Sequence, residues 1–130
     1  MLIRIAQIFV AAMIAYFALS AIDAVFNLPH KLARIGLSAV SRDGEIAFVV
    51  IYAGLMLGIA VAILVSLLSS KTPVMALGVI ASVMSCILLS RLGSLLYFGA
   101  GSSSQAIFTL VEVAKIAVAT YLLYALRSKA

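Results

Sequence analysis

Four long apolar runs separated by three short polar connections organise the chain, and each run is long enough to form a helix that crosses a bilayer. The first run extends from about Leu2 to Phe26 and stops at Asn27-Leu-Pro29, because a proline disfavours helical geometry in the residue before it. The segment 29–44, PHKLARIGLSAVSRDG, is the only sizeable polar connection. On a helical wheel Lys31, Arg34, Ser38 and Ser41 share one face while Leu28, Leu32, Ile35 and Ala39 share the other, which predicts a short helix lying in the membrane interface. A second span begins near Asp43 or Gly44 and covers about 45–68. Ser69-Ser-Lys-Thr-Pro73 then turns the chain, with Thr72 placed to cap and Pro73 suited to the first helical position of a third span over 73–98. Gly99 to Ser104 forms the last turn, and Ser102 with Gln105 has the capping-box spacing for a fourth span over about 104–126.

Composition turns this pattern into a location. Of 130 residues, 66% are hydrophobic and only 10% charged, against roughly 45–50% apolar content in soluble domains. The mean hydropathy is +1.31. At 1.5 Å per residue a bilayer core of ~30 Å takes about 20 helical residues, so four crossings use nearly the whole chain. The expected fold is all-α, an integral membrane four-helix antiparallel bundle forming a single membrane domain over 1–130. Met1-Leu-Ile-Arg4 and the small residues Ala18 to Ala21 imitate a signal peptide, but the apolar run exceeds a typical signal core and reads as a retained span.

The net charge of +5 points to membrane orientation, since most basic residues sit at span ends and no basic patch with interleaved aromatics suggests nucleic acid. Arg4, Lys71, Arg127 and Lys129 fall on one side, and Lys31, Arg34 and Arg42 on the other. The narrow Lys/Arg excess favours cytoplasmic termini in a bacterial inner membrane.

Charges inside the spans are the candidate chemistry. In LVEVAKIAV, Leu110 to Val118, Glu112 and Lys115 lie three residues apart on one helix face, and Thr109 and Gln105 extend that polar stripe toward the turn. Arg91 precedes the turn near Gly101 and Ser102 by about as much as Glu112 follows it, so the two belong at similar depth in a helical hairpin. An ionised side chain near the bilayer centre costs at least ~2.5–3.5 kcal/mol, which makes a partner at the same depth the expected remedy. Lys115 can pair locally with Glu112 or snorkel along the helix. Asp23, near the end of the first span, and Glu45, near the start of the second, belong to the same half of the membrane. Asp23, Glu45, Arg91, Glu112 and Lys115 thus form a candidate polar cluster, which either lines a pocket or locks the helices together.

Packing signals are more numerous than catalytic ones. Gly54-Leu-Met-Leu-Gly58 is a GxxxG, and Gly78, Ser82, Cys86 and Ser90 place a small residue at every fourth position of the third span, suited to close helix approach within the chain or in a homodimer. Cys86 reads as a small buried apolar residue. Tyr52, Tyr97, Tyr121 and Tyr124 mostly lie toward span ends, where an amphipathic ring belongs. One histidine, His30, and one cysteine do not make a metal site of ordinary ligand count, and no nucleophile and base stand in register; no cofactor is expected.

Glu45-Ile-Ala-Phe-Val-Val-Ile-Tyr-Ala-Gly-Leu-Met-Leu-Gly58, then Ser90-Arg-Leu-Gly93 and Glu112, give the chain from about Pro29 onward its resemblance to the DUF4345 family of small four-span bacterial membrane proteins of unknown function. The resemblance implies the four-span fold and little mechanism. That family carries an acidic or amide residue and an arginine ahead of a Tyr-Gly-Gly, whereas Val49 and Val50 stand here before Tyr52, and Ala53 replaces a glycine. The functional expectation is an interaction or accessory protein of the inner membrane, in contact with lipid and with itself or a larger membrane complex. The rival expectation is a small proton-coupled transporter or lipophilic-ligand binder. In size it resembles the small multidrug-resistance exporters, although their key glutamate lies in the first span and only Asp23 stands in this one. A membrane isomerase using buried carboxylates is a third, more remote expectation.

Overall fold

The computed structural model describes residues 1–99 and 103–128. It is all-helical, with no strand among the described residues. Four helical segments are long and apolar enough to cross a membrane: Leu2–Phe26, Arg42–Leu68, Val74–Tyr97 and Gln105–Arg127. Large side chains such as Ile8, Leu19, Ile51, Leu68 and Leu96 are exposed along them, an outer surface that suits lipid and not water.

The elements are α1 (Leu2–Phe26), α2 (Leu28–Arg34), α3 (Arg42–Phe48), α4 (Gly54–Leu68), α5 (Val74–Phe98) and α6 (Ser103–Arg127). A π-helical turn, Val49–Ala53, joins α3 to α4, so the second span is continuous from Arg42. By contact pattern the chain forms two compact units, Met1–Val10 with the chain from Ser66 onward, and Ala11–Val65.

In the first unit α5 and α6 pack against each other as a helical hairpin. Their buried seam consists of Ala76, Leu77, Ile80 and Met84 on α5 and Ala119, Leu122 and Leu126 on α6, apolar residues at helical spacing. In the second unit Ala21 and Ala24 of α1 form a small core with Ala53, against which Phe48, Val49, Tyr52 and Met56 pack. The rings of Phe48 and Tyr52 stack there with centroids 5.0 Å apart.

The connection after α1 contains the expected short helix, but it covers Leu28–Arg34 and not the whole of 29–44. The helix ends at Arg34, because Gly36 takes φ 76° and closes a Schellman cap: Gly36 N donates to Ala33 O at 3.1 Å and Leu37 N to Leu32 O at 2.9 Å. A left-handed residue at this position is inexpensive only for glycine. Ser38 and Ala39 are therefore not helical, and Ser41 is the N-cap of α3, its Oγ accepting from Gly44 N at 3.2 Å. At the next connection Thr72 does not cap; Pro73 holds the N-cap position and Ser70 Oγ donates to the Thr72 carbonyl. Of the proposed capping box, Ser102 lies outside the described residues, and the Gln105 side chain is engaged elsewhere.

Candidate functional site

The deepest polar arrangement lies in the α5/α6 hairpin. Arg91 reaches across from α5 and grips Glu112 with two parallel bonds, Nε to Oε2 at 2.8 Å and Nη2 to Oε1 at 2.6 Å. Its Nη1 donates to Gln105 Oε1, and its guanidinium lies 5.6 Å from the centre of the Phe108 ring. Gln105, Phe108 and Glu112 follow each other at three- and four-residue steps, so one face of α6 supplies the whole cradle. Thr109 satisfies itself by donating to the Gln105 carbonyl at 2.8 Å. The Glu112 side chain is 9% exposed and that of Arg91 23%.

A forked, charge-assisted pair of this kind is the strongest polar contact available to a carboxylate away from water. Both carboxylate oxygens are occupied, and no buried side-chain nitrogen or oxygen among the described residues lacks a hydrogen-bond partner. Lys115 is half-buried one turn further along α6 and feels the Glu112 charge.

The second polar arrangement, in the other unit, belongs to the edge of a span. Asp23 accepts from Asn27 Nδ2 at 3.1 Å, from Arg34 Nη2, and faces Lys31 Nζ at 3.3 Å. Lys31 also donates to Ser20 Oγ at 3.0 Å and lies 5.2 Å from the centre of the Tyr52 ring, whose hydroxyl is 3.2 Å from the same Ser20 Oγ. Lys31, placed by the wheel on an interfacial polar face, is buried at 6% exposure. The reason is geometric: α2 folds back directly after Asn27, and Lys31 and Arg34, one turn apart, both close on Asp23.

Glu45 does not join Asp23. It is exposed in the first turn of α3 beside Asp43, where a negative charge complements the helix N-terminus, and makes no side-chain bond among the described residues. Within one unit Arg91 is joined to Glu112, with Lys115 one turn away; within the other Asp23 is joined to the cations of α2, and Glu45 stands exposed apart from it. Lys31, Arg34, Asn27, Ser20 and Tyr52 are participants that the pattern of charges did not single out. Asp23 and Asn27 at helical spacing, followed at once by two cations on a short helix, was the available signal.

The small-residue faces are also placed differently from one expectation. Gly54, Gly58, Ser82, Cys86 and Ser90 are exposed and Gly78 is half-buried, and a Cβ added at any of the three glycines would meet no atom within 4 Å. Cys86 is exposed and not the buried residue expected. The seam uses Ala76, Leu77, Ile80 and Met84 instead, one face away. Tyr97, Tyr121 and Tyr124 are exposed, whereas Tyr52 turns inward. No family model, curated protein or solved structure matches the chain.

Proposed function

We propose that the protein is an interaction or accessory subunit of the bacterial inner membrane, with both termini in the cytoplasm, whose interior charges hold its helices and whose outward small-residue faces receive other helices. The exposure of Gly54, Gly58, Ser82, Cys86 and Ser90 supports this reading, because small residues in a span permit close helix approach, and among the described residues no atom lies within 4 Å of a Cβ built at Gly54 or Gly58. The closed Arg91–Glu112 fork supports it from the other direction. A proton-coupled carrier needs a carboxylate that exchanges its partner for a proton, and both Glu112 oxygens are held. The resemblance to the DUF4345 family agrees with a four-span fold and adds no activity.

Chemical crosslinking in native membranes, followed by native mass spectrometry, tests the reading. An assembly heavier than the 13.6 kDa chain is the expected result. A strictly monomeric species, in native membranes as in detergent, would contradict it.

A further inference from the structure

The corner where α1 gives way to α2 holds two cations against one acid, and the two cations are not equivalent. Lys31 is buried: its Nζ lies 3.3 Å from Asp23 Oδ2, donates to Ser20 Oγ at 3.0 Å and stands 5.2 Å from the centre of the Tyr52 ring. An ammonium so removed from water needs the carboxylate charge more than an exposed cation does. Arg34 meets the same Asp23 oxygen through Nη2, yet its side chain is half exposed. Among the described residues its Nε and Nη1 make no bond, so most of the guanidinium fork is left for a further acceptor. Asp43 and Glu45, the other acids of this unit, pair with neither cation. With Lys31 set against Asp23, the corner keeps one positive charge.

Its depth says what can meet that charge. The 25 residues of α1 rise ~37 Å against a hydrocarbon core of ~30 Å. The ends of α1 therefore reach the headgroups, and α2 begins directly beyond, at Leu28. On α1 Leu19, Ile22 and Phe26 follow each other at three- and four-residue steps beside Asp23 and are exposed, whereas Ser20 and Ala24 on its other flank are partly and fully buried. The exposed lane runs from the cations into the hydrocarbon, the course an acyl chain takes. His30, exposed one turn before Arg34 on α2, adds an imidazole to the same helix face.

We infer that this corner binds the phosphate of an anionic phospholipid. Arg34 holds two phosphate oxygens, Asp23 fixes the guanidinium, Lys31 neutralises Asp23, and an acyl chain lies along Leu19, Ile22 and Phe26. A planar fork matches a phosphate with two parallel bonds. The excess positive charge selects an anionic headgroup over a zwitterionic one, which brings its own cation. The inference goes beyond the accessory reading and stands without it.

Native mass spectrometry of the full-length protein, titrated in detergent with phosphatidylglycerol or with phosphatidylcholine of the same acyl chains, tests it. The first phosphatidylglycerol should bind about tenfold more tightly than phosphatidylcholine, the return expected of hydrogen bonds to a charged group. Arg34→Gln should remove that preference, whereas Arg127→Gln, which deletes the same charge at the end of α6, should keep it. Because Lys31 still pairs with Asp23, the melting temperature of Arg34→Gln in lipid-free detergent should stay close to that of the unaltered chain. Phosphatidylglycerol should also raise the melting temperature of the unaltered chain more than phosphatidylcholine does, a comparison that needs no variant. Inorganic phosphate should not displace the lipid, since it has no acyl chain; displacement would assign the corner to free phosphate and overturn the inference. Equal binding and equal stabilisation by the two lipids, a preference that survives Arg34→Gln, or equal losses in Arg34→Gln and Arg127→Gln would overturn it as well.

Discussion

The protein holds two ion-paired centres that solve different problems. The Arg91–Glu112 fork lies well inside two spans, has one acid for one gripping cation, and leaves little of either side chain exposed. The Asp23 centre stands at the end of α1, has two cations for one acid, and keeps Arg34 about half exposed. Water and headgroups within reach make the second arrangement tolerant, because an exposed ion pair contributes little and a lost partner is replaced. The first has no such substitute, so its partners must be matched one to one. Burial depth, more than the count of contacts, should set what each centre is worth.

The largest effect should come from breaking the deep pair. Glu112→Gln leaves a guanidinium facing a neutral amide and is expected to cost on the order of 3–5 kcal/mol, read as a large fall in the thermal melting temperature in detergent. Asp23→Asn should lower the melting temperature too, but by clearly less. If the two falls were equal, depth would not be the controlling variable.

Tyr52→Phe removes one hydroxyl while keeping the ring that stacks on Phe48 and lies under Lys31. A cost of about 0.5–1.5 kcal/mol is expected in chemical denaturation, the net value of one hydrogen bond. At the small end, Gly58→Ala adds a methyl group where nothing lies within 4 Å and should stabilise the isolated chain by about 0.5–1 kcal/mol through backbone entropy. The same substitution should weaken crosslinking to a partner in native membranes. A destabilised isolated chain would show that the glycine is packed after all.

The legibility of these features in the sequence follows their physics. Span positions come from run length and breakers, and the helix termini observed at Phe26, Leu68 and Phe98 coincide with Asn27-Leu-Pro29, Ser69 and Gly99. The approach of Arg91 to Glu112 was legible because equal distance from a hairpin turn is a statement about depth, which needs no side-chain detail. Lys31 was illegible for the opposite reason. The wheel assumed a helix continuing past Gly36, and the left-handed cap there ends it, so the frame relating Lys31 to Ser38 and Ser41 does not exist. Glycine just after Arg34 was the overlooked stop signal. The small-residue spacing marked a face of α5 without its direction, since Ala76, Leu77, Ile80 and Met84 form an equally regular alternative that wins the seam by bulk and apolarity.

The central claim is that charges inside the spans pair with each other to hold the helices. Thermal melts of Arg91→Met, Glu112→Leu and the combined variant, all in one detergent, test it most directly. Each single substitution should be strongly destabilising, and the combined variant should recover much of the loss, because no buried charge is then left without its partner. Losses that simply add, with no recovery in the combined variant, would contradict the claim.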